Sequence, residues 1–155
     1  PELIARQIGD MRADFYAANS WVARYGKPLV AEELRAVGLL AFDPVDRFLD
    51  ELARAGIPLS HDQCRVVSAN AIVLWELVRR GLGAGIILRA FAMRTPELVR
   101  LLPDWPGIPV PVWLVTHGEL RTSARVKLVF DILAAELGKL MGARMPFRRS
   151  DRMSG

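Results

Sequence analysis

Three glycines, Gly81, Gly83 and Gly85, lie close enough together to suggest a loop that binds a nucleotide phosphate. Such a loop must follow a strand and precede a helix, because the free N–H groups at the start of the helix contact the phosphate. Here the predicted order is reversed, since the glycines follow a helical segment and precede a strand-like apolar run. The spacing therefore predicts a tight turn from a helix into a strand.

A second group of reactive side chains, His61, Asp62 and Cys64, contains the atoms of a base, an orienting acid and a nucleophile. Catalysis requires that the fold converge these groups, and close neighbours in one loop rarely present them in that way. Cys64 fits a small apolar residue at the start of a buried strand. His61 and His117 lack the paired spacing of a zinc site. We therefore predict no catalytic residue, no metal, no cofactor and no enzymatic activity.

Composition narrows the class of protein. The chain has 155 residues, of which 52% are hydrophobic and 25% charged, and this suffices for one folded domain or two small lobes. A single cysteine excludes an internal disulfide and favours a reducing compartment, so we expect the cytoplasm. No apolar run reaches the ~18 residues of a membrane span, and we expect no membrane partner. A membrane protein, a disulfide-rich scaffold and a chain that is disordered throughout are excluded.

The positive charge is concentrated at one end of the chain. The net charge is +4, but residues 142–155 hold four arginines and one aspartate, so the rest of the chain carries only +1. A DNA-binding domain usually shows a basic face over its folded body. The tail could contact nucleic acid or an acidic partner, but a disordered terminus is the favoured interpretation. The start at Pro1, without an initiator methionine or a signal segment, predicts an internal piece of a longer protein.

Short apolar runs alternate with segments of helical period, which predicts an α/β fold. Strands are predicted at residues 3–8, 13–18, 39–42, 64–67, 85–88 and 110–115, with a turn at Gly9 and Asp10. Helices are predicted at residues 21–25, capped by Asn19 or Ser20, and at residues 32–37, 44–55, 71–80 and 123–141. The helix at residues 71–80 is apolar around much of its circumference, so we expect it to be largely buried.

Two corners, where a strand passes into a helix, are candidate binding positions. Free helix N–H groups and small polar side chains could receive an anion or a carboxylate there. For each corner alone, an ordinary helix cap is the more common explanation. Ligands of α/β sheets bind in crevices at such corners. We expect the two corners to face one cleft, where both could contact the same ligand. The corner residues are Ala18, Asn19, Ser20, Ser68, Ala69 and Asn70.

Four stretches, taken in order, resemble a known family. They are LIARQIG with FYAANSWVARYGKP (residues 3–28), LVRRGLGAGIIL (77–88), LVRLLPDWPGIPVPVWLVTH (98–117) and RTSARVKLVFDILAAEL (121–137). Their order and spacing resemble the effector-binding domain of LysR-type transcriptional regulators, over about residues 2–137. The resemblance covers nearly all of the chain, and its strength lies in the combination of motifs.

The resemblance implies an architecture of the periplasmic-binding-protein type II. Two α/β lobes, joined by crossover strands near residues 16–18 and 114–116, would hold a small effector in the cleft between them. An incomplete first lobe would comprise residues 1–17 and 109–141, and the second lobe residues 18–108. Residues 142–155 would form a basic, disordered tail. The winged-helix DNA reader would precede Pro1, so DNA would be bound only through a domain absent from this chain.

The resemblance also implies the binding residues. By position they are Ala18, Asn19, Ser20, Ser68, Ala69, Asn70 and Thr116. The family often has serine-proline in place of Ala18 and Asn19, and proline in place of Leu88. The first departure removes a hydroxyl that could bind a carboxylate, and Arg89 could compensate for it electrostatically. The expected effector is a carboxylate or an aromatic acid.

Together these observations predict the ligand-sensing and oligomerising part of a bacterial LysR-type regulator. An incomplete first lobe exposes strand edges that can pair with another chain, so we expect a homodimer or a tetramer. The alternative is a solute-binding protein of a transport system, which has the same lobe architecture. A signal segment before Pro1 would favour transport, and a winged-helix segment there would favour regulation.

Overall fold

The computed structural model describes residues 3–118 and 123–140 of the chain. Its internal contacts divide the chain into two compact units. The central unit is Arg12–Ile108, and the terminal unit joins Pro1–Met11 to Pro109–Gly155. The predicted tail at residues 142–155 lies outside the described residues. No helix in the described part of the chain is long and apolar enough to cross a membrane.

Strands and helices alternate along the chain, as the α/β prediction requires. The first elements are β1 (Leu3–Ala18), α1 (Asn19–Tyr25), α2 (Ala31–Leu34), β2 (Leu39–Phe42) and α3 (Val45–Arg54). After a 3-10 turn (His61–Gln63) come β3 (Cys64–Ser68), α4 (Ala71–Arg79), β4 (Ala84–Leu88), α5 (Arg89–Ala92) and β5 (Leu98–Arg100). The chain continues through β6 (Ile108–His117) and α6 (Ala124–Leu140).

The sheet of the central unit has one strand that runs against the others. Its strand order is β3-β2-β4-β1-β5. β2 is parallel to both β3 and β4, whereas β1 is antiparallel to β4 and to β5. The carboxyl ends of β2, β3, β4 and β5 therefore lie at one edge of the sheet, which we call the carboxyl edge. The carboxyl end of β1 lies at the opposite edge.

The two faces of this sheet carry separate apolar cores, because successive side chains of a strand point to opposite faces. On one face Tyr16 packs with Leu74 and Val78 of α4 in a buried cluster. Phe15, its neighbour along β1, is fully buried, and its ring centroid lies 5.4 Å from that of Trp105. Burial on both faces fixes the register of β1, since a one-residue slip would exchange the two sets of side chains.

Local signals predicted several elements to within one or two residues. The strand at residues 39–42 is confirmed as β2, and β3, α4 and β4 begin and end within one residue of their predicted bounds. α3 begins at Val45, one residue later than expected, because Pro44 rather than Asp43 is its N-cap. Gly56 ends that helix with a φ of +83°, as the glycine predicts. α6 occupies the predicted helix at residues 123–141.

The predicted turn at Gly9 and Asp10 is wrong, because β1 runs without interruption from Leu3 to Ala18. The strand pairs with β4, β5 and β6, and these ladders outweigh the local preference of a glycine-aspartate pair for a turn. The same pairing buries residues 13–18 within the central unit. The two compact units meet after Met11 and after Ile108.

The expectation that α4 is largely buried is also wrong. Leu74 and Val78 are buried beneath the helix, whereas Ile72 is 72% exposed and Val73 is exposed as well. A helix that lies across one sheet face covers it with a single stripe of side chains, so apolar residues outside that stripe stay exposed. Composition around the helix could not show which stripe would be covered.

The terminal unit is built from β1, β6 and α6. β6 pairs with β1, and Arg6 of β1 lies 4.0 Å from Asp131 of α6 in an ion pair. On α6, Ala134 is buried, and Val126 and Phe130 are half-buried. Leu133 of the same helix is exposed.

Candidate functional site

The first predicted corner, residues 18–20, lies at the amino-terminal start of β4 and β5. Ala18 pairs with Leu98, the first residue of β5. The backbone N–H of Asn19 donates to the Glu97 carbonyl at 2.8 Å, and its side-chain amide donates to the Pro96 carbonyl at 3.4 Å. Ala18 is the N-cap of α1 and provides no side-chain hydrogen bond to it. The amide of Asn19 is thus engaged within the protein.

The second predicted corner, residues 68–70, lies at the carboxyl edge and caps α4. The Asn70 side-chain oxygen accepts hydrogen bonds from the backbone N–H groups of Ile72 at 2.9 Å and Val73 at 3.3 Å. The Asn70 N–H donates in turn to the Ser68 hydroxyl at 3.1 Å. The expectation that these helix N–H groups are free for an anion is therefore wrong, because the asparagine cap satisfies two of them.

The two corners do not face each other. Ser68 pairs with Phe42, the last residue of β2, at the carboxyl edge. Ala18 ends β1 at the opposite edge, because β1 is antiparallel to β4. A ligand in one crevice could not contact both corners through their backbones. The direction of β1 is the physical reason that this part of the sequence-based hypothesis fails.

Thr116, the remaining predicted residue, belongs to the terminal unit and is half-buried on β6. It lines a groove of about 330 Å³ between β6 and α6. The other lining side chains are mostly apolar: Leu114, Val115, Arg125, Val126, Val129, Phe130 and Leu133. Thr116 is thus a small polar group in a mostly apolar groove that Arg125 also lines. Effector binding by it and by the corner residues stays a prediction.

At the carboxyl edge the structure reveals a charged cluster that the motif analysis did not find. Asp14 of β1 is 0% exposed. Arg89, the first residue of α5, donates to both of its carboxylate oxygens, with Nη2 at 3.0 Å from Oδ1 and Nε bonded to Oδ2. Arg100, the last residue of β5, donates through Nη2 to Asp14 Oδ1, also at 3.0 Å. Two guanidinium groups therefore share one buried carboxylate.

The same arginines also hold the loop before β6. Arg100 Nη2 donates to the Trp105 carbonyl at 2.7 Å, and Arg89 Nη2 donates to the Pro106 carbonyl at 3.1 Å. Arg12 Nη1 reaches the carbonyl of Gly107 at 3.5 Å. Gly107 has a φ of +76°, and a Cβ there would lie 2.5 Å from the Ala13 carbonyl oxygen. Only glycine lets the loop approach β1 this closely.

The electrostatics of the cluster follow from this geometry. The hydrogen bond to Asp14 raises the pKa of Arg89, so its guanidinium stays charged throughout the ordinary pH range. Burial raises the pKa of the nearby Tyr16 hydroxyl, and the negative charge of Asp14 raises it further. One signal in the sequence pointed here: an aspartate inside the apolar run at residues 13–18 requires a charged partner when it is buried.

Comparison with known families decides to which family the chain belongs. The family described as LysR substrate binding domain matches residues 1–138. The chain belongs to this family. The predicted α/β fold of a LysR substrate-binding domain is thereby confirmed, as is its class, the effector-binding domains of transcriptional regulators.

Solved LysR-type structures share the fold. The regulatory domain of CrgA from Neisseria meningitidis superposes with a TM-score of 0.74 at 22% identity, over 87% of this chain and 69% of that chain. The AphB regulatory domain from Vibrio vulnificus superposes with a TM-score of 0.61 at 23% identity, over 86% of this chain and 69% of that chain. The AmpR effector domain of Pseudomonas aeruginosa superposes with a TM-score of 0.66 at 17% identity, over 89% of this chain and 66% of that chain. At such identities the likeness establishes the fold alone.

The chain spans 48% of the chain in a structure of CrgA, a LysR-type transcriptional regulator, and 49% of full-length AphB from Vibrio cholerae. No curated protein sequence gives a significant match. The activity and partners of the whole regulator are therefore proposals for this LysR domain.

The group of reactive side chains at residues 61–64 does not converge in this LysR domain. His61 Nε2 lies 2.8 Å from Asp46, and Asp62 accepts from the Ser60 hydroxyl at 2.5 Å. Burial raises the pKa of the Cys64 thiol, and the charge of Asp62 adds to this effect, so the thiol carries little thiolate at neutral pH. Among residues 3–118 and 123–140, no cluster of three or more histidine, cysteine or acidic side chains could hold a metal ion.

Proposed function

We propose that the chain is the ligand-sensing part of a bacterial LysR-type transcriptional regulator. It binds a small-molecule effector, has no catalysis of its own, works in the cytoplasm and reaches DNA through a separate domain. The family match supports a regulator in preference to the transport protein that was the alternative. The single observation that carries the proposal is this match over residues 1–138. The polar groups at the carboxyl edge add a place where an effector could bind.

The carboxyl edge is the part of the central unit that we propose as the effector contact. Ligands of open α/β sheets bind outside the carboxyl ends of the strands. Ser68 ends β3 there, Asn70 caps α4 and Arg89 opens α5. From the predicted residues the proposal thus keeps Ser68, Ala69 and Asn70. Ala18, Asn19 and Ser20 lie at the opposite edge, and Thr116 is a separate candidate in the terminal unit.

The proposed mechanism is a shift between conformations of the regulator. An effector that binds one conformation more tightly than another raises the population of the first, by as much as the two affinities differ. Because effector binding and operator binding depend on the same conformations, each changes the affinity of the other by the same factor. A bound effector therefore changes how tightly the regulator holds its operator.

Titration calorimetry with small carboxylates and aromatic acids tests this proposal. Replacing Ser68 with alanine removes a hydroxyl at the carboxyl edge, and we expect an effector bound there to lose about fivefold in affinity. The matched control is Ser20→Ala at the opposite edge, which should leave the affinity unchanged. The proposal fails if no such compound alters operator binding by the intact regulator, or if the Ser20 variant alone loses affinity.

We also propose that the chain associates with a second copy of itself. β3 is the end strand of the sheet order, and its side chains Val66 and Val67 are exposed. Leu128 and Ile132 are exposed on α6. Exposed strand edges and apolar residues of this kind mark association surfaces. We expect the mass measured by light scattering to rise with concentration, and a constant monomer mass would contradict the proposal.

A further inference from the structure

We infer that the effector carries a carboxylate, and that Arg89 and Arg100 at the carboxyl edge receive it. This inference rests on the proposed function, because it names the chemical class of the ligand and the side chains that bind it. It is carried by three properties of the cluster around Asp14. These are its surplus of positive charge, its unused hydrogen-bond donors and its partial exposure.

The cluster holds more positive charge than its own carboxylate can neutralise. Within the described residues, Arg89 and Arg100 both form an ion pair with the same carboxylate, that of Asp14. A single guanidinium would suffice to neutralise Asp14. The second leaves one positive charge over, and Arg12, bonded to the same loop, adds to the positive potential. Surplus positive charge at a protein surface attracts anions.

Among residues 3–118 and 123–140, both arginines keep donors that form no hydrogen bond. Arg89 bonds through Nε and Nη2, and Arg100 bonds through Nη2. In the part of the chain that is described, Arg100 Nε is buried without a hydrogen-bond partner. A buried donor without an acceptor is costly, and few remain in a native protein. Arg100 Nε is itself shielded from solvent, so an acceptor supplied by a ligand would meet the exposed Nη groups of the two arginines.

The two guanidinium groups are close together and reachable from outside. Both Nη2 atoms lie 3.0 Å from the same oxygen of Asp14, so twice this distance is the upper limit of their separation. The Arg89 side chain is 40% exposed and that of Arg100 is 37% exposed, whereas Asp14 is fully buried. Asp14 therefore holds the two cations from inside the fold. Their outer sides remain available to a ligand.

A carboxylate matches these donors better than a neutral polar group does. Charge-assisted hydrogen bonds from a guanidinium are about twice as strong as neutral ones, and the planar fork suits the two oxygens of a carboxylate. The position agrees with this, because Arg89 follows β4 and Arg100 ends β5, where α/β sheets bind ligands. The arginine pair is thus preorganised before a ligand arrives.

The test is a titration of the 155-residue chain with benzoate, followed by the side-chain Nε–H signals of arginine in NMR spectra. Benzamide, which has nearly the same shape and no charge, is titrated alongside. We expect saturable shifts at Arg89 and Arg100 with benzoate, and an affinity at least about tenfold weaker for benzamide. Acetate should shift the same two signals, because it carries the same group.

Three variants assign the effect to this site. Arg100→Gln should weaken benzoate binding about tenfold and leave the bidentate pair of Asp14 and Arg89 intact. The double variant Asp14→Leu with Arg89→Leu keeps the net charge of the chain unchanged, so general attraction of anions stays the same, while Arg89 and the carboxylate that positions Arg100 are both removed. The matched control is Arg94→Gln, an exposed arginine just beyond α5. It should bind benzoate like the unaltered chain.

The inference is overturned if benzamide binds as well as benzoate, if Arg100→Gln binds benzoate normally, or if acetate and benzoate cause no saturable shift. Should the double variant fail to fold, Arg100→Gln decides the matter alone. Failure of the proposed function has a different signature. If the proposed function fails, no compound of any charge changes operator binding by the intact regulator. If only the carboxylate inference fails, a neutral effector could still change it.

Discussion

Replacing Arg89 with leucine is expected to lower the free energy of unfolding of the chain by about 2–3 kcal/mol. The physical reason is the burial of Asp14, which would keep only its hydrogen bond from Arg100. Removing one partner of a fully buried pair costs about 3–5 kcal/mol, and the partial exposure of Arg89 reduces this value. Urea denaturation followed by circular dichroism measures the change.

The double variant Asp14→Leu with Arg89→Leu should recover most of this loss and come within about 1 kcal/mol of the unaltered chain. The double variant removes the buried carboxylate together with Arg89, so no buried carboxylate loses a partner, and Arg100 keeps its hydrogen bond to the Trp105 carbonyl. With Asp14→Leu as the second single variant, the change in the double variant minus the sum of the two single changes measures the coupling of the pair. Arg94→Leu, the exposed control, should change stability by less than about 0.5 kcal/mol. An equal loss in Arg89→Leu and Arg94→Leu would show that the ion pair contributes nothing.

Elements whose signals are local could be predicted from the sequence. β2 is a short apolar run between Gly38 and Asp43, and its bounds are confirmed without change. α4 begins after an asparagine cap and ends before Gly81, as its sequence indicates. Caps and glycine stops act within a few residues, so they can be read from a single segment. β5 was missed because three residues are too few to show a period.

The candidate site depends on information that no local pattern contains. Strand direction is one example, because an apolar run reads alike whether its neighbours are parallel or antiparallel to it. That direction places Ala18 and Ser68 at opposite edges, and it overturned the expectation that the corners meet. Asp14 finds partners 75 and 86 residues away in Arg89 and Arg100. The sequence signalled a need for a partner, and only the fold showed which residues meet it.

The second prediction concerns Phe15, the neighbour of Asp14 along β1. Phe15→Ala should lower the free energy of unfolding by about 3–5 kcal/mol, because the side chain is fully buried and its loss leaves a cavity. The ring contacts Trp105, whose indole N–H donates to the Ala55 carbonyl at 2.9 Å. The matched control is Phe91→Ala on α5, where the ring is 58% exposed. This control should lose less than about 0.5 kcal/mol in the same urea titration.

Replacing Phe15 should also affect the arginine cluster on the other side of the strand. Trp105 packs on Phe15 and offers its carbonyl to Arg100, so one loop joins the apolar core on one face to the charged cluster on the other. Phe15→Leu, a milder change, should fold and yet weaken benzoate binding several-fold, because a displaced loop no longer orients Arg100. If Phe15→Leu binds benzoate normally while its stability falls, the loop does not position the arginine. Phe15 would then act through packing alone.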